Sequence, residues 1–109
     1  MNKDSIITGH LSSRQVYIDG IELTPTKSFK HRNHSPDGFC WGYGGSGPSQ
    51  LALALLLEAT DEHTALNNYQ QFKRDVIANL PENFTLNTNI IYKWLEEHNE
   101  SASTFNRIQ

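Results

Sequence analysis

Residues 38–59, "GFCWGYGGSGPSQLALALLLEA", set Gly42, Gly44, Gly45 and Gly47 just ahead of an apolar run. Glycines before a helix let the backbone approach a phosphate, which the first amides and the positive end of the dipole can hold. A P-loop, G-x-x-x-x-G-K-[ST], needs a lysine to reach the terminal phosphates, and no lysine follows these glycines. The string Gly42-Tyr43-Gly44-Gly45-Ser46-Gly47 does match G-x-G-x-x-G. That dinucleotide fingerprint works only inside a parallel βαβ unit, and the pattern after this helix predicts no second strand. A generic anion site remains, built from the amides of Gly44, Gly45, Ser46 and Gly47, with Pro48 deleting one further donor. The favoured reading is a corner, with glycines giving room for an aromatic strand to reverse onto a buried helix.

A second group is "KSFKHRNH", residues 27–34, where Lys30, Arg32 and His34 alternate. On a strand they would form a cationic row able to face phosphates or a carboxylate-rich partner. Lys and Arg on an edge strand also discourage aggregation, which is the commoner use. A third group is His31, His34 and Cys40, with His10 and His63 elsewhere. One cysteine cannot complete a zinc site of the usual Cys/His kind, so no metal is expected. Cys40 falls inside a predicted strand, away from any helix terminus that would lower its pKa, so it is not expected to be a nucleophile. Glu58, Asp61 and Glu62 read as acids around a helix start. Trp41, Tyr43, Tyr69, Tyr92 and Trp94 read as core. No catalytic set converges, and no cofactor is implied.

The elements that must position these residues divide cleanly along the chain. "RQVYIDGIEL" predicts a hairpin, with Val16 and Ile18 on one side and Asp19-Gly20 as the turn, before Pro25 ends or displaces the second arm. A strand is predicted over 27–33, a turn at "SPDG" (35–38), and another strand over 39–43 with Phe39, Trp41 and Tyr43 on one face. Pro48 suits a first helical turn capped by Ser46 or Gly47, and "LALALLLEA" is apolar all round, so this helix is expected to be buried. A second helix opens at Thr60 or Asp61, carries Leu66, Tyr69, Phe72, Val76 and Leu80, and is stopped by Pro81. A third, capped by Asn87 or Thr88, presents Ile91, Trp94 and Leu95. The fold class is therefore α+β: a small N-terminal antiparallel meander packed on three C-terminal helices. One domain spans 1–109, with a structured core over about 14–98 and a frayed tail over 99–109.

The composition limits the partners. At 109 residues there is room for one modest core. A formal net charge of −3 gives no global field for nucleic acid or an anionic membrane. Residues 1–49 carry five Lys/Arg against four acids, and residues 50–109 four against eight. "MNKDSIITGH" lacks a signal-peptide core, and the apolar run Leu51–Leu57 is too short for a membrane span, so a cytosolic location is expected.

Residues 33–56, "NHSPDGFCWGYGGSGPSQLALALL", are similar to the signature of a family of short bacterial proteins, a domain of unknown function also found on plasmids and in phages. The matching parts are "NHSP" (33–36), Gly38-Phe39 and "WGYGGSGPSQLALALL" (41–56). Weaker similarity lies in "VYIDG" before them and in "YQQFKRDVIANLP" (69–81) and "IIYKWL" (90–95) after them, so it runs from about Val16 to Leu95. The resemblance brings no reaction, ligand or catalytic residue. It implies a context, a small accessory protein of a mobile element that meets host or nucleoprotein machinery, an anti-defence role included.

The expected function is thus non-enzymatic binding of a protein partner through the sheet edge and the "HRNHSPDG" turn, with Lys30, Arg32 and His34 as contacts. The alternative is an anion- or nucleotide-binding module using Gly44, Gly45, Ser46 and Gly47, with Arg32 or His34 as counter-charge.

Overall fold

The computed structural model describes residues 1–98. Asp19 and Gly20 both take positive φ, 51° and 79°. This is the geometry of a type I′ turn, whose twist matches that of the strands it joins. They link β2 (Gln15–Ile18) to β3 (Ile21–Leu23). A turn through Arg14, also at positive φ, joins β2 back to β1 (Ile6–His10). β4 (Asn83–Asn87) comes from far along the chain and pairs with the other side of β1. The four-stranded sheet has the order β3-β2-β1-β4, antiparallel throughout.

Alternation gives the sheet two different faces. Ile7, Val16, Phe84 and Leu86 are buried on one, while Thr8, Tyr17, Glu22 and Thr85 share the other in register. Gly9 stands opposite Phe84, and a Cβ there would overlap the Phe84 ring. That ring meets Trp41 edge-on at 5.0 Å.

The helices are α1 (Thr26–Phe29), α2 (Ser46–Ala59), α3 (Glu62–Asp75) and α4 (Thr88–His98), with a 3₁₀ turn at Ile77–Asn79. As its all-round apolar pattern requires, α2 is buried from Gly47 to Leu57 and packs against the other three helices. Asp61 caps α3, its carboxylate accepting from the Thr64 amide at 2.7 Å. Trp94 of α4 packs edge-on against Phe72 of α3 at 5.1 Å. Among the described residues no helix is long and apolar enough to cross a membrane.

The class is α+β as read, with several corrections. The strand expected over 27–33 is instead α1 and the turn after it, because Pro25 starts a helical turn whose carbonyl takes the Phe29 amide and the Ser28 hydroxyl. The strand expected over 39–43 has no ladder. Its Gly42 amide donates to Ile77 and its Trp41 indole to the carbonyls of Pro81 and Glu82. The cap of α2 is Gly45, not Ser46 or Gly47. α3 ends at Asp75, before Leu80. A strand does follow the helices, β4, but it runs antiparallel. Order also begins before residue 14, since β1 is central to the sheet. The tail assigned to 99–109 lies outside the described residues.

Candidate functional site

The expected cationic row is split by the local fold. Lys30 follows the last turn of α1 and is exposed. Arg32 is exposed too, with its guanidinium donating to the His31 carbonyl at 2.7 Å. His34 turns inward, its Nε2 lying 2.7 Å from the Tyr69 hydroxyl. Burial lowers the His34 pKa, and the charges of Arg32 and Lys73 lower it further. The imidazole is therefore neutral at neutral pH and does not extend a row of cations.

What holds this segment is a residue that pattern reading passed over. Gln50 is fully buried on α2. Its Oε1 accepts from the amides of His34 and Ser35 at 2.7 and 3.2 Å. Its Nε2 donates to the Ser28 hydroxyl and the Arg32 carbonyl at 2.8 and 2.9 Å. A core amide with every polar atom satisfied specifies one loop conformation. The available signal was a lone polar residue heading an apolar helix, "SQLALALLL".

The glycine loop does the work of a corner. A Cβ on Gly47 would come within 2.6 Å of the Cys40 Cβ and 3.1 Å of its backbone nitrogen, so the first turn of α2 lies directly on residue 40. A Cβ on Gly45 would strike the Tyr43 ring. Gly42 sits at φ 84°. Gly44 alone has open space around it. For an anion, Pro48 offers no amide and the Ser49 amide is bonded to Gly45, while Gly47 is buried. The inward turn of His34 removes one of the two counter-charges. Among the described residues no cluster of three His, Cys, Asp or Glu is placed to hold a metal ion.

One of the two open sheet edges is the outer edge of β3. The two-residue turn makes Ile18 and Ile21 a hydrogen-bonded pair, so Ile21 and Leu23 direct their backbone groups at β2. Glu22, one residue between them, directs its N–H and C=O outward, and neither has a partner among the described residues. Ile21 is 75% exposed. On one flank, a cleft of about 280 Å³ lies between this hairpin and the Pro36-Asp37-Gly38 turn, with Arg14 and Glu22 also on its wall. On the other, a cleft of about 390 Å³ is lined by Ile18, Ile21, Leu23, Asp19 and Glu58. Asp19 is fixed there: its carboxylate accepts from the Ile6 amide at 2.9 Å, and this bond, with help from Ser5, lowers its pKa. The fold thus brings the sheet edge and the "SPDG" turn together, while Lys30, Arg32 and His34 form no common surface. Ile21 and Glu22 were readable only as a hairpin arm. The sign that it is an edge was Pro25, which a central strand would not tolerate so close.

Neither a curated protein nor a solved structure matches the chain. A family model described as "Family of unknown function (DUF6166)" matches residues 8–97, from the middle of β1 almost to the end of α4, and the chain belongs to that family.

Proposed function

We propose that this protein is a non-enzymatic interaction module that binds a protein partner along the outer edge of β3 and the adjoining Pro36-Asp37-Gly38 turn. The observation that carries this reading is the cleft shared by the hairpin and that turn, beside an exposed Ile21 and an unpaired backbone at Glu22. An open strand edge offers main-chain hydrogen bonds for affinity, and flanking pockets add side-chain selectivity. The partner belongs to cytosolic host or nucleoprotein machinery met by a phage or plasmid accessory protein, an anti-defence target being one such case. Lys30 and Arg32, both exposed, supply peripheral charge. The anion reading has less support, since Pro48 offers no amide, the Ser49 amide is bonded to Gly45, Gly47 is buried and His34 is turned inward, leaving Arg32 as its counter-charge.

Proline at an outward-facing edge position removes a docking amide and leaves the ladder intact. Glu22→Pro should therefore abolish partner capture from cells of the source organism, measured by affinity purification and mass spectrometry with a nuclease-treated control. Thr85→Pro, at the outward-facing middle of β4, should not. Recovery of the same partner by both variants would refute the assignment.

A further inference from the structure

The clefts beside β3 also say what kind of segment would fit, and this inference rests on the edge-binding reading above. We infer that the partner segment is an extended strand in which a Lys or Arg stands between two apolar residues.

An added strand would make its hydrogen-bonded pair with Glu22, the one residue of β3 with outward N–H and C=O. The side chain opposite Glu22 then lies on the same face as its carboxylate. Opposite charges directly across a ladder stabilise it and like charges destabilise it, so the residue at that position is a cation. Its two neighbours point to the other face, beside Ile21 and Leu23. There the 390 Å³ cleft, floored by Ile18, Ile21 and Leu23, accepts apolar side chains. Asp19 and Glu58 stand at the rim of that cleft. The cations near them are Lys27, held by Glu58 at 3.4 Å, and the Met1 amine. With Arg14 beside Glu22 and Asp37 on the wall of the other cleft, the four carboxylates of Asp19, Glu22, Asp37 and Glu58 outnumber the three cations Arg14, Lys27 and the Met1 amine, so the edge is acidic by one charge.

Glu22 also works against the commonest competitor, a second copy of the chain. The self-pairing that uses all three residues of β3 on both copies places Glu22 opposite Glu22. Edge charges of this kind block homotypic pairing, while admitting a strand with a cation at that position.

The test uses the full chain and three short capped peptides of alternating valine and threonine that differ only at the centre: lysine, glutamate or threonine. Binding is read by fluorescence anisotropy at low ionic strength. The lysine peptide should bind about ten-fold more tightly than the glutamate peptide, the spread expected between attractive and repulsive cross-strand pairs. Glu22→Lys, which keeps the backbone edge, should invert that order, and Glu22→Pro should lose both peptides. Equal binding of all three peptides, still lost in Glu22→Pro, would overturn the inference about charge and leave edge docking standing. Binding that survives Glu22→Pro, or no binding at millimolar peptide, would overturn the inference itself. So would a concentration-dependent dimer that Glu22→Pro dissolves, since it would put a second copy on the edge. Should Glu22→Pro fail to fold, the inversion by Glu22→Lys decides.

Discussion

Gln50 offers the most direct check on how the "HRNHSPDG" segment is held. Gln50→Leu keeps the volume roughly constant and removes all four of its hydrogen bonds. The Ser28 hydroxyl loses least, because it still donates to the Pro25 carbonyl at 2.8 Å. The His34 and Ser35 amides and the Arg32 carbonyl are stranded. A buried group left without a partner costs about 1–3 kcal/mol. The two amides share one acceptor, and Arg32 is exposed enough for water to reach its carbonyl, so the three losses do not add fully. A net destabilisation of about 3 kcal/mol is expected, which in a domain of this size lowers Tm by roughly 15 °C. Urea unfolding followed by tryptophan fluorescence measures the first quantity, since Trp41 and Trp94 are both buried. Amide hydrogen exchange at His34 and Ser35 locates the loss. Gln50→Glu is a harsher companion: nearly isosteric, it keeps the acceptor for the two amides but sets a buried carboxylate against the Arg32 carbonyl, so it should destabilise at neutral pH and recover in part in acid, where the protonated form regains one donor. A Gln50→Leu protein destabilised by less than about 1 kcal/mol, with His34 and Ser35 as protected as before, would refute the reasoning and show that the loop is held elsewhere.

Gly47→Ala should cost about 1–3 kcal/mol, because its Cβ presses on the Cys40 backbone, which cannot swing aside. Gly44→Ala, with open space around it, should stay within about 0.5 kcal/mol of the parent in the same urea titration. Asp75 accepts from the Trp94 indole at 2.9 Å and from Gln71 at 2.8 Å. Its pKa lies below the usual 3.8, chiefly through the Trp94 bond. A depressed folded-state pKa stabilises the fold above the unfolded value and loses that contribution as pH falls through the folded one. Stability should therefore decline below about pH 4, and Asp75→Asn should flatten that part of the profile and cost about 1 kcal/mol at pH 7, a charge-assisted bond discounted for exposure.

Features set by neighbours in sequence were legible, and those set by distant partners were not. Asp19-Gly20 dictates its turn because only a few residue types accept two successive positive φ values. Pro48 and Asp61 mark helix starts through backbone amides within their own turn. β1 and β4 went unread because neither is convincing alone: "IITGH" carries a mid-strand glycine, and "NFTLN" is five residues between a proline and a helix. Their justification lies in each other, in Gly9 leaving space for a Phe84 ring 75 positions away. The same applies to residues 27–33 and 39–43. Both alternate like strands, but the Arg32 carbonyl is taken by Gln50 and the Gly42 amide by Ile77, so no ladder forms.

This bears on where function resides. The glycine-rich signature looks chemical because it is dense in glycine, histidine, cysteine and tryptophan. Nearly every one of those groups is spent on the interior: His34 on Tyr69, Trp41 on the 81–82 carbonyls, Gly47 on Cys40, Gln50 on the loop. Among the described residues no buried side-chain polar atom is left without a partner. What the segment leaves open is the exposed Tyr43 and a cleft of about 410 Å³ that Cys40, Trp41 and Gly42 line with Leu80 and Pro81. Unused backbone hydrogen-bonding capacity also lies on the sheet edges, and at β3 it coincides with exposed apolar surface and fixed charge. On the reading proposed above, the signature serves chiefly as frame, and recognition falls to the short, outwardly plain arm Ile21-Glu22-Leu23.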